Sequence, residues 1–82
     1  MNERRDAAER HVHIPIFGLG CGGGGAREVE RQLARTRGVR SVYVNPATET
    51  AYVGYDPSLV DLRQLAAVID DAGYRPGIPV VQ

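Results

Sequence analysis

The chain has 82 residues, room for one small domain that buries only about 60% of its unfolded surface. Ten basic residues balance ten acidic ones, which excludes a nucleic-acid or membrane-surface role built on bulk charge. The single cysteine excludes an internal disulfide, and no apolar run approaches the ~20 residues that span a bilayer.

Residues 1–10 mix both charge signs and carry almost nothing apolar, so they are expected to be a disordered tail ahead of one domain over 11–82. They lack the hydrophobic stretch of a signal peptide, and with the lone thiol this makes the cytoplasm the expected compartment. Residues 11–17 alternate: Val12, Ile14 and Ile16 form an aliphatic face, and His11, His13, Pro15 and Phe17 form the other. Pro15 lacks a ladder donor, so the strand is expected to be at an edge or irregular there.

Next comes Gly18-Leu19-Gly20-Cys21-Gly22-Gly23-Gly24-Gly25, which holds six of the ten glycines and the only cysteine. It joins a strand to a helix expected over 26–37, with Ala26, Val29 and Leu33 as its apolar stripe. Acids early and arginines late suit the helix dipole, and Gly38 is expected at C′. Strands are expected over 39–45 and 50–55, joined as a hairpin by the turn residues Asn45-Pro46-Ala47-Thr48-Glu49. Asp61 and Gln64 are spaced as a capping box before a stripe of Leu62, Leu65, Ile69 and Ala72, which Gly73 closes. Residues 74–81, with two prolines, are expected to form a short last strand at a sheet edge. Strand, helix, strand, strand, helix, strand is the ferredoxin-like split βαβ order: α+β, a four-stranded antiparallel sheet with two helices on one face.

The glycine loop admits three readings. Gly18, Gly20 and Gly23 match the G-x-G-x-x-G phosphate pattern, yet no acidic residue ends the second strand and the chain cannot hold a doubly wound sheet. Cys21 ahead of a helix start is placed to become a thiolate that binds a soft metal, yet it is one ligand where Cu(I) needs two. In the third reading the glycines only make a tight turn and Cys21 is a small semi-buried residue. His11 and His13, on the outer sheet face, read as solvated strand residues that the sequence does not bring to Cys21. No nucleophile–base pair or paired carboxylates suggest an enzyme.

Gly18-Leu19-Gly20-Cys21, Val29-Glu30, Gly38-Val39, Val42-Tyr43-Val44-Asn45, Ala51-Tyr52-Val53-Gly54-Tyr55-Asp56-Pro57 and Ala72-Gly73-Tyr74 follow one another in an order that resembles the heavy-metal-associated domain of copper chaperones and metal-pumping ATPases. That family's usual loop is Gly-Met-x-Cys-x-x-Cys. Counted from Gly18, Cys21 takes the first cysteine's place, Gly24 the second's, and Leu19 that of the methionine buried beneath the site. Counted back from Val29, the two places fall on Gly22 and Gly25. The resemblance implies a metal-binding or metal-trafficking domain with a degenerate site: Cys21 the one ligand, Cu(I) or another soft ion the cargo, and Tyr74 an aromatic beside the loop. It also implies a metal-transporting ATPase or another protein as partner, with a homodimer through the Cys21 loop as a further expectation. The alternative is a partner-binding or regulatory module that kept the fold and lost the site.

Overall fold

The computed structural model describes residues 9–20 and 24–82. Its elements are β1 (Arg10–Phe17), α1 (Gly24–Ala34), β2 (Val39–Asn45), β3 (Thr50–Tyr55), α2 (Leu62–Asp71), β4 (Arg75–Pro76) and β5 (Val80–Val81). Residues 1–8 of the expected tail lie outside the described residues, while Arg10 already belongs to β1 and faces Tyr55.

The sheet order is β2-β3-β1-β4, with β5 also paired to β1, and every pairing is antiparallel. β1 and β2 therefore run parallel with β3 between them, the split βαβ arrangement expected from the element order. The expected last strand is split in two: Ile16 and Phe17 face Pro76 and Arg75, and Val12 and His13 face Val81 and Val80. The break has its cause in Pro15. The Pro15 carbonyl accepts from Gly77 N–H at 2.7 Å, so the donor that proline lacks would also point toward the last strand. β1 is thus interior rather than at an edge, and the irregularity falls on its neighbour. Gly77 must pass close: a β-carbon there would stand 2.9 Å from Pro15 Cβ.

Val12, Ile14, Ile16, Val44, Ala51 and Val53 turn one sheet face toward Ala26, Val29, Leu33, Leu65 and Ile69 of the helices, and all are buried. Val42 packs at the edge of this core. α1 begins two residues before the expected start and ends three before the expected end. The chain turns out of it at Thr36, whose N–H donates to Leu33 O at 3.0 Å, one residue short of the helical spacing. With this start no acidic residue falls in the first turn. Gly38 is therefore not the C′ residue. It has φ +93°, and a β-carbon there would meet Leu59 and Val60 at 2.9 Å, so the position needs glycine for its conformation and for the close approach of the segment after β3.

Arg40 is the extra residue of a bulge between Val39 and Ser41, and its guanidinium reaches Asp56 Oδ2 at 3.2 Å. Asp56 also accepts from the Ser58 hydroxyl at 2.7 Å and from Ser58 N–H at 2.9 Å. These bonds and Arg40 hold its carboxyl below the ordinary aspartate value, against an opposing effect of burial. The capping box at α2 is formed: Gln64 N–H donates to Asp61 Oδ1 at 2.8 Å, and Asp61 N–H donates to Gln64 Oε1 at 3.0 Å. Gly73, at φ +99°, ends α2 as expected, with Gly73 N–H on Asp70 O and Tyr74 N–H on Ile69 O, the paired bonds of a Schellman motif.

Candidate functional site

The glycine loop leaves the C-terminal end of β1. Gly18 and Gly20 have φ +88° and +74°, a region closed to most side chains, so glycine is needed on both sides of Leu19. The two reversals turn Leu19 inward, where only 6% of it is exposed. This is the buried place that the sequence reading gave to Leu19. Cys21 and its neighbours Gly22 and Gly23 lie outside the described residues.

The chain resumes at Gly24, the first residue of α1. The first N–H groups of a helix have no intrahelical partner, and here no acidic side chain of the first turn covers them. The partial positive charge of the helix start therefore faces the loop.

Tyr74 reaches the same place from the other end of the chain. It is half-buried against the core, with its ring lying over Gly25. A β-carbon on Gly25 would overlap the Tyr74 hydroxyl, stand 3.1 Å from its Cζ and lie 3.3 Å from the Leu19 carbonyl oxygen. Leu19, Gly25 and Tyr74 thus meet where the two described ends of the loop come together. The Gly73 turn carries Tyr74 out of α2 in this direction, which is why an aromatic distant in sequence meets the glycine loop. The sequence reading placed Tyr74 beside the loop by resemblance. It missed that Gly25, rather than serving loop freedom alone, makes space for the ring.

Beside this meeting point runs an open groove of about 810 Å³, bordered by Phe17, Gly18, Asp70, Gly73, Tyr74 and Arg75. Phe17 is 58% exposed there. The groove escaped the sequence reading, because it exists only where the end of β1 meets β4 and the end of α2.

His11 and His13 lie on the sheet face opposite the helices. His13 is set edge-on against Tyr52 with ring centroids 4.6 Å apart, and His11 Nε2 is 3.7 Å from Glu9 Oε2. At about 3.3 Å per strand residue, His13 is roughly 17 Å of chain from Gly18, where the loop begins. The histidines thus lie well down β1 from Gly18. Among the described residues no group of three or more His, Cys, Asp or Glu side chains is gathered to hold a metal ion, and no helix is long and apolar enough to cross a membrane.

Comparison with known proteins gives this geometry its relatives. The family model described as Heavy-metal-associated domain matches residues 14–75, a span that includes the whole loop. A copper-exporting P-type ATPase of Bacillus subtilis is 33% identical over 67 residues, covering 82% of this chain and 8% of that protein. A probable copper-exporting P-type ATPase of Archaeoglobus fulgidus is 38% identical over 48 residues, 58% of this chain and 6% of that protein. The chain thus spans less than a tenth of the length of either. Among solved structures, a copper-binding domain from a P-type ATPase superposes with a TM-score of 0.83 at 27% identity, covering 89% of this chain and 97% of that one. The N-terminal domain of a potential copper-translocating P-type ATPase from Bacillus subtilis, in its Cu(I)-loaded state, gives 0.81 at 28% identity, covering 90% and 91%.

Proposed function

The chain belongs to the heavy-metal-associated domain family, and from that premise we propose that it binds a soft metal ion of the Cu(I) class through Cys21, as a trafficking or metal-receiving domain rather than an enzyme. The observation that carries this reading is the family match across residues 14–75, which runs through the loop that holds Cys21. The buried Leu19, the exposed start of α1 and Tyr74 against Gly25 support it, because they stand at the described ends of the loop that carries Cys21.

The donor set sets the stoichiometry. One chain offers one thiolate, and Cu(I) is satisfied by two soft ligands. Two chains are therefore proposed to share one ion across a two-fold axis, the glycines leaving few side chains to keep the loops apart. The physiological partner proposed is a metal-transporting ATPase, in the cytoplasm.

The test is titration of Cu(I) into reduced protein against a competing chelator, with the mass of the loaded species measured in parallel. The expected result is one Cu(I) per two chains in a dimer, with both lost in Cys21→Ser. A tight one-to-one complex that survives Cys21→Ser would overturn this ligand assignment. One observation favours a second reading, since glycine stands at the second cysteine place in either register. If no Cu(I) is retained against even a weak chelator, and the protein stays monomeric, the domain is a partner-binding or regulatory module on this fold.

A further inference from the structure

A second group of ligating side chains stands on the opposite side of the molecule. His11 and His13 are two residues apart on β1, so both side chains leave the same face of the sheet. Both border one hollow of about 220 Å³, whose rim also includes Ser41, Tyr43, Tyr52 and Gln82. Gly54, paired with His11, also borders the hollow and adds no side chain to that face. A β-carbon at Gly54 would stand 2.5 Å from Ser41 Oγ, 2.8 Å from Glu9 Oε2 and 3.3 Å from His11 Cε1, so the serine hydroxyl, the carboxylate and the histidine edge share the space the glycine leaves.

We propose that His11 and His13 form a bidentate site for a divalent transition-metal ion of the class that prefers imidazole, such as Ni²⁺, Cu²⁺ or Zn²⁺, independent of Cys21. Two residues along a strand separate the Cα atoms by about 7 Å. Two imidazoles can close that span onto one ion at metal–nitrogen distances of about 2.0–2.1 Å. The hollow has room for the ion and for waters in its remaining positions.

Three features prepare the pair. The backbone beneath it is fixed on both sides: His13 is paired with Tyr52 and with Val80, and the His11 carbonyl accepts from Gln82 N–H at 3.0 Å. The Tyr52 ring restrains the His13 imidazole. Glu9 Oε2, 3.7 Å from His11 Nε2, adds negative charge beside the ion and attracts an imidazole N–H on that side, the outer-shell role carboxylates play toward metal-bound histidine. A rigid pair loses little freedom on closing around an ion. The chemistry is also distinct from that of the loop, since imidazole suits borderline divalent ions and thiolate suits Cu(I).

The proposal does not rest on the Cys21 reading, and its test removes the thiol. Tag-free Cys21→Ser protein is titrated with Ni²⁺, following heat and tyrosine emission, because an ion held by His13 lies close to Tyr52. The expected result is one Ni²⁺ per chain with quenching of the emission, and at least about tenfold weaker binding in His11→Gln and in His13→Gln, the scale on which a disrupted ligand shell loses affinity. Circular dichroism of each variant confirms that the fold is kept. No binding at millimolar Ni²⁺, or binding unchanged in both glutamine variants, would overturn the proposal. Ni²⁺ binding that vanishes in His13→Gln supports it whether or not Cys21 binds Cu(I).

Discussion

Gly25 and Tyr74 occupy adjoining space: a β-carbon on the glycine would fall onto the tyrosine hydroxyl. Gly24, one residue earlier, has nothing within 4 Å of the same construction. Alanine at the two positions is therefore expected to act in opposite directions. Gly24→Ala should stabilise by about 0.4–1 kcal/mol, through a less flexible unfolded chain. Gly25→Ala should destabilise by about 1–3 kcal/mol, as overpacking does, and adding Tyr74→Phe should restore part of the loss. Thermal melts of the three variants test this, and Gly25→Ala as stable as Gly24→Ala would show that the ring swings away freely.

Leu33 and Ile69 are fully buried on facing helices of the same core. Leu33→Ala and Ile69→Ala should each destabilise by about 2–5 kcal/mol, the sum of lost transfer energy and the cavity left behind. Urea unfolding measures both, and near-neutrality of either would refute the assigned core face.

Asp56 ties the bulge at Arg40 to the turn before α2, and its carboxyl titrates below the ordinary aspartate value because of the Ser58 hydroxyl and N–H and Arg40. The unfolded chain binds the proton more readily, so this contribution to stability is complete above the unfolded value, about 3.9, and is lost as pH falls through the folded value. The stability difference between wild type and Asp56→Asn should therefore be constant from neutral pH down to about pH 5 and shrink below about pH 4. Denaturant midpoints across that range provide the check. A difference that stays flat in acid would mean that the carboxylate gains nothing from its partners.

The capping box makes a local prediction. Asp61→Ala removes the acceptor for Gln64 N–H and should cost about 0.5–2 kcal/mol, whereas Asp61→Asn keeps an acceptor and should cost less. Amide hydrogen exchange in the first turn of α2 should report the same order. Equal protection in the two variants would show that Gln64 finds another partner.

Much of this molecule is governed by interactions close in the chain, and those parts were legible in the sequence. β2 and β3 run over the expected 39–45 and 50–55, since alternation and turn residues act between near neighbours. The capping box at Asp61 and the Gly73 stop were also readable, because each is completed within a few residues. The order of elements and the aliphatic faces of β1, β2 and β3 were enough to specify a ferredoxin-like sheet.

What tertiary structure decided came from segments far apart in sequence. Gly38 has the residue type of a helix stop, but its reason is the approach of Leu59 and Val60, which only the packed chain brings near. The edge of the sheet shows the same dependence: Glu30 of α1 accepts from Val44 N–H at 3.2 Å, on the outer side of the edge strand β2. The split of the last strand follows from Pro15 meeting Gly77 across the sheet. Tyr74 reaches Gly25 only because the Gly73 turn directs it across the end of the core. The hollow that His11 and His13 border is closed by Ser41, Tyr43 and Gln82, which only the sheet pairing brings beside β1. Residue type alone determined the fold and the chemistry the loop could carry. Which glycines make room for a neighbour, and which ligating side chains share a space, depended on long-range register and packing, because those contacts join residues with no local interaction to bring them together.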